Sequence, residues 1–173
     1  MQNQNIKKII TRVTNPLSKQ KKLEKILNAG KEIILENGPS NLSLRALGKK
    51  LNMPQGNIYR YIDNKRDLWI AIRFSMYDDF LDQFNVIIEN HEGTYQQLFI
   101  KFAELFLNFA CENYNRFQLI FLLDPPESEK IGKIEREIDP YGVTRVLYDL
   151  INQAIQANEI KESEALKCYY AIN

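Results

Sequence analysis

Residues 43–68, SLRALGKKLNMPQGNIYRYIDNKRDL, leave a folding chain few choices. Ser43 is a strong N-cap residue, and Leu44, Leu47 and Leu51 follow at the i, i+3, i+7 spacing of one helical face. Asn52 interrupts that pattern. Pro54 suits the first turn of a second helix, where a missing N–H leaves no bond unmade. The spacing predicts that this second helix runs to about Ile62. Ile58 and Ile62, one turn apart, form its inner face, and Gln55, Asn57, Tyr59 and Arg60 lie on the other. Asp63 and Asn64 close it, and Asn64 with Asp67 three residues on resembles a capping box opening a third helix. Two short helices joined by about three residues, the second rich in hydrogen-bonding side chains, define a helix-turn-helix.

The second helix of such a unit can lie in the major groove of DNA, where every base pair offers its own pattern of donors and acceptors. Gly56 fits that use, because a residue without a Cβ lets backbone approach a phosphate or a thymine methyl. The run Gln55-Gly56-Asn57-Ile58-Tyr59-Arg60-Tyr61-Ile62, followed by Asn64-Lys65-Arg66-Asp67-Leu68, resembles the recognition segment of the tetracycline-repressor (TetR) family. The resemblance is specific over roughly residues 20–73. It implies an all-α fold: a three-helix N-terminal head carrying the helix-turn-helix, followed by a C-terminal helical bundle. It also implies roles for single residues. Ser43, Tyr59 and Lys65 match phosphate-contacting positions, and Arg45 matches a position that reaches a base or phosphate. Gln55, Gly56, Asn57 and Arg60 match positions that contact bases or backbone, and Tyr61 stands where histidine is common. The residue chemistry agrees, since Arg grips guanine bidentately and Gln or Asn grips adenine.

Charge is distributed unevenly. The chain of 173 residues has a net charge of only +1, yet residues 1–73 hold 15 Lys and Arg against 5 Asp and Glu. Residues 74–173 hold 8 against 17. A basic first part suits a polyanion, and an acidic second part does not. This length supports a sizeable core in one domain, or a small domain joined to a larger one. Cys111 and Cys168, the two cysteines, are too few for a disulfide framework or metal cluster and are expected as small core residues. No apolar run approaches the roughly 18 residues of a membrane span, and the N-terminus lacks the apolar segment of a signal peptide. A cytoplasmic location is expected, with no membrane partner and no cofactor.

In chain order, residues 1–17 form a lysine-bearing arm. Lys7, Lys8 and Arg12 either reach DNA or belong to a solvated tail. The helix-turn-helix domain is expected over 18–66, and a helical ligand-binding and dimerisation domain over 67–173. The first helix, about Pro16 to Asn37, carries the stripe Leu23, Ile26, Leu27, Ile33, Ile34, with Gly30 permitting close packing. Gly38 and Pro39 end it. The helix from Lys65 should reach about residue 90, with Leu68, Trp69, Ile72, Met76, Phe80, Phe84 and Ile87 on one side. His91 and Gly93 mark its exit, the histidine as a capping or surface residue rather than a ligand. Thr94 caps a helix from Tyr95 to about Asn113, and Arg116 to Leu123 reads as a shorter apolar helix. Residues 127–138 read as a charged loop with one or two helical turns. Pro140 opens another helix, residues 158–161 turn, and Ser163 begins a last one. The segment from Phe109 to Phe121 is similar to a motif of a TetR subgroup with a WHG-type C-terminal domain, which implies that the natural chain continues past Asn173.

The second region supplies Met76, Phe80, Phe84, Phe102, Phe106, Phe109, Phe117 and Phe121. Two readings stand for them: a packed core, or the lining of an apolar cavity for a small hydrophobic effector. Taken together, the sequence points to a ligand-responsive transcriptional regulator, a repressor binding a palindromic operator in double-stranded DNA as a homodimer. A helical protein-interaction or small-molecule-carrier module is the alternative. An enzyme is not expected: no nucleophile–base pair, metal-ligand spacing or glycine-rich phosphate loop occurs in the sequence.

Overall fold

A computed structural model describes residues 17–139 and 142–161. The arm before Leu17, Pro140, Cys168 and the helix expected from Ser163 lie outside the described residues. Among the described residues there is no strand. Seven α-helices occur there: α1 Leu17–Asn37, α2 Leu44–Leu51, α3 Gln55–Ile58, α4 Lys65–Glu89, α5 Tyr95–Glu112, α6 Tyr114–Phe117 and α7 Gly142–Gln156. None of them is long and apolar enough to cross a membrane.

The chain divides into two compact units, Met1–Asp82 with Asn108–Ile138, and Gln83–Leu107 with Asp139–Asn173. In the first, the expected α1 stripe is inside: Leu23, Ile26, Leu27, Ile33 and Ile34 are all buried. They share the core with Leu42, Leu44 and Leu47 around α2, Ile58 and Ile62 around α3, and Leu68 and Ile72 of α4. Each such side chain contributes roughly 1.5–3 kcal/mol over its exposed state, so these three faces hold the short helices that could not persist alone. Gly30 behaves as expected, since a Cβ there would run into the Ile72 side chain. Gly38 adopts φ 82° beyond α1, its N–H donating to the Ile34 carbonyl at 2.9 Å.

The first unit also contains an aromatic cluster. Phe80 is buried against Phe109 (centroids 4.9 Å apart) and edge-on to Phe121 (5.7 Å). Phe117 lies 5.2 Å from Phe121, and Arg116 covers the face of Phe109. The helix expected over Arg116–Leu123 takes a different form. A single α turn, α6, widens into a π turn over Gln118–Leu122, with Leu123 N–H donating to Gln118 O at 2.9 Å. The Ile120 carbonyl in this turn accepts both Nε and Nη2 of Arg73. Burial pushes the Arg73 pKa down, opposed by nearby Asp124. Burial, with Asp78 beside it, pushes the Tyr77 phenol up.

In the second unit Phe84, Leu98 and Leu150 make the core, with Ile87, Ile88, Phe99, Phe102, Leu105, Val146 and Leu147 packed on it. Thr94 and Gln97 form a reciprocal capping box at the start of α5, 3.2 Å each way. His91 sits before that cap, half-buried, its Nε2 2.8 Å from Thr94 O. Cys111 is exposed instead of buried, because it falls on the outward side of α5. The expected contributors to an apolar cavity therefore divide: Met76, Phe80, Phe109, Phe117 and Phe121 belong to the first unit, and Phe84, Phe102 and Phe106 to the second.

Candidate nucleic-acid interface

Helix α2 starts where the sequence places it. Ser43 is extended (φ −149°, ψ 156°), and its Oγ accepts the Ala46 N–H at 3.1 Å. Asn52 ends α2 in the left-handed conformation at φ 49°, a state asparagine tolerates better than most residues. Met53 N–H then donates to Gly48 O at 2.8 Å, cinching the connection to α3. Gly48 was not a candidate from the sequence. A Cβ there would stand 2.8 Å from the Met53 carbonyl oxygen, so the turn between the two helices requires glycine.

Helix α3 is shorter than expected. Its α-helical part is Gln55–Ile58, and the chain continues to Ile62 in tighter turns, with Arg60 N–H on Asn57 O (3.4 Å) and Tyr61 N–H on Ile58 O (2.9 Å). The polar face survives this change. Gln55, Gly56, Asn57, Tyr59 and Arg60 are exposed, as are Arg45 and Lys65, and Ser43 is half-buried. Tyr61 differs. It is 9% exposed and belongs with Ile58 and Ile62, because residues three and four apart share a helical face. Tyr61 is thus mostly covered, unlike the exposed Tyr59 and Arg60 beside it.

Two features give this face its chemistry. First, nothing lies within 4 Å of a Cβ built on Gly56, so the molecule's own packing does not call for glycine there. Second, Arg45, Arg60 and Lys65 have no ion pair among the described residues. Lys50 contrasts with them: the hydrogen bonds its ammonium donates to the Glu32 and Glu36 carboxylates raise its pKa, and both carboxylates pair with it. Lys65 occupies the first residue of α4, where a cation opposes the helix dipole unless an anion approaches.

Behind Tyr59 lies a cleft of about 590 Å³, lined by Asp63, Asn64, Ser128, Lys130, Ile131 and Arg136 among others. The charged segment 127–138 thus packs beside the end of the recognition segment. It contains one short 3₁₀ turn, Glu135–Glu137, and is bonded to the start of α4. The expected cap there is made differently from the expected box. Asp67 N–H donates to Asn64 Oδ1 at 2.8 Å, but the Asp67 carboxylate returns to Asp63 N–H at 3.1 Å.

A pair of short helices with buried apolar faces, the second exposing polar and cationic side chains, has the form of a helix-turn-helix. Residues 26–72 match the family model for bacterial regulatory proteins of the tetR family. The HTH-type transcriptional regulator YvdT of Bacillus subtilis is 30% identical over 141 residues, covering 82% of this chain and 71% of that protein. The fatty acid metabolism regulator protein of the same organism is 24% identical over 149 residues, 83% of this chain and 73% of that protein. The HTH-type transcriptional repressor NemR of Escherichia coli is 23% identical over 90 residues, 52% of this chain and 45% of that protein. The chain belongs to the tetR family of bacterial transcriptional regulators.

Proposed function

We propose that this chain is a repressor that binds a palindromic operator as a homodimer and is released by a small apolar effector. In this reading residues 18–66 read DNA, and residues 67–173 bind the effector and pair the two copies. The observation that carries it is the exposed face of Gln55, Gly56, Asn57, Tyr59 and Arg60, which has open space over Gly56. In the same reading Ser43, Tyr59 and Lys65 contact phosphates, and Arg45 reaches a base or phosphate. The reading segment is a few residues long and spans few base pairs, so two copies related by a two-fold axis are needed for a site of useful length. NemR is named a repressor, which supports the same sign here.

Arg60 and Lys65 separate base reading from backbone binding. Arg60→Ala is expected to relax base preference at one position of each half-site, a loss of about 1–3 kcal/mol on the preferred sequence and little on random DNA. Lys65→Ala is expected to weaken all sequences alike and to lower the salt slope by about one. Fluorescence-anisotropy titrations at several salt concentrations measure both. Equal losses for Arg60→Ala on preferred and random duplexes would remove its base-reading role.

The effector site is proposed at the aromatic side chains of the body. Phe117 and Phe121 are only half-buried and border the fully packed Met76, Phe80 and Phe109, so an apolar molecule could extend this cluster. The other aromatic residues proposed for effector contact, Phe84, Phe102 and Phe106, belong to the second unit. An effector must bind the released state more tightly than the DNA-bound state to act at all. A thermal-shift screen with small apolar compounds is expected to yield stabilising ligands that also weaken DNA binding. A screen with no such compound would argue against the effector.

A further inference from the structure

We infer that Asp67 and the turn Gly132–Glu135 that clasps it are positioning elements for DNA reading. They hold the junction between the recognition segment and α4, so Tyr59, Arg60 and Lys65 meet a duplex at one fixed angle. The inference rests on the DNA-reading function proposed above.

Asp67 is the buried charged residue among those described, with no exposed surface. Its Oδ1 accepts the N–H groups of Ile134 (2.9 Å) and Glu135 (3.0 Å), and its Oδ2 accepts that of Asp63 (3.1 Å). One carboxylate therefore joins three pieces of chain: the residue that closes the recognition segment, the first turn of α4, and a loop almost seventy positions later. A buried carboxylate is costly without such donors. If the loop moves off, the charge loses two of its three backbone N–H groups, and the junction cannot keep its form unchanged.

The rest of the clasp converges on Asp63, Asn64, Arg66 and Asp67. Asp63 accepts the Lys133 N–H at 2.9 Å and pairs with the Lys133 ammonium at 3.2 Å. Asn64 donates to Lys130 O at 2.9 Å, and Arg66 pairs with Glu135 at 2.8 Å and reaches Pro126 O at 3.3 Å. Ile134 is fully buried as the apolar anchor. Gly132 lies so close that a Cβ on it would overlap the Asp67 carboxyl group. The same loop walls the cleft behind Tyr59. None of these contacts is made by the exposed reading face, yet all of them end within seven residues of Arg60.

The test uses the full chain, the duplex that the wild-type protein enriches from a random library, and a random duplex of equal length. Gly132→Ala is expected to weaken the enriched duplex at least tenfold and to lower the enriched-to-random ratio. Its salt slope should stay within one unit of wild type, because no cationic side chain is removed. Circular dichroism should show the helices retained, while the Ile134 and Glu135 amides exchange faster. Should Gly132→Ala fail to fold, Ile134→Ala, which removes the anchor without adding an atom, is read in the same way. Wild-type affinity and selectivity would overturn the inference, as would equal losses on both duplexes that track the unfolded fraction. If the wild-type chain enriches no sequence, the DNA-reading function itself fails and the inference falls with it.

Discussion

Replacing Phe80 with alanine is expected to lower the free energy of unfolding by about 3–5 kcal/mol, the range for deleting a buried phenylalanine ring. Phe80 is 1% exposed and sits where the rings of Tyr77, Phe109 and Phe121 converge. Removing it loses the transfer free energy of the ring and leaves a cavity that three aromatic neighbours, each already held by its own packing, cannot refill. Domains of this size are stable by about 5–15 kcal/mol in total, so the variant should sit near its unfolding threshold at moderate urea. Urea denaturation followed by circular dichroism measures the change. A loss under about 1 kcal/mol would mean that the cluster relaxes freely around the deletion rather than packing as a rigid core.

Gly48→Ala is expected to destabilise the head by about 1–3 kcal/mol and to weaken DNA binding at least tenfold. The added methyl would face the Met53 carbonyl oxygen at 2.8 Å. A backbone carbonyl cannot rotate away like a side-chain end, and this one belongs to the connection between α2 and α3. The relief available is to push α3 outward, which carries Gln55, Asn57 and Arg60 with it. The loss in affinity should therefore exceed what the unfolded fraction explains. Anisotropy titration beside a urea melt separates the two effects, and wild-type affinity at wild-type stability would show that the turn has slack.

Much of the head could be read from residue spacing. Leu44, Leu47, Ile58 and Ile62 are apolar at helical intervals, and burial follows from that alone. Tyr61 matches a DNA-contacting position by family likeness, while its distance of three from Ile58 places it toward the inner face, where it is 9% exposed. The shorter α3 also has a local cause. Arg60 and Tyr61 bond to carbonyls three residues back, and no side-chain pattern distinguishes that turn from an α turn. The π turn after α6 was likewise hidden, since the run Gln118–Leu122 is as apolar as an ordinary buried helix. The clasp on Asp67 lay furthest from view. Its partners are backbone N–H groups 67 and 68 positions away, and any residue but proline supplies such a donor. Gly132 was its one visible mark in the sequence, and a single glycine in a charged loop is ordinary.

The exposed side chains of Gln55, Asn57, Tyr59 and Arg60 are proposed to enter the groove of a duplex, and one titration tests this most directly. The full chain is titrated by fluorescence anisotropy against its enriched palindromic duplex and a random duplex, from about 50 to 200 mM salt, a range over which phosphate contacts dominate the response. Tighter binding to the palindrome, at a ratio of two chains per duplex and falling steeply with salt, is the expected result. Weak binding that ignores both sequence and salt would contradict it and leave a helical interaction or carrier module as the better description.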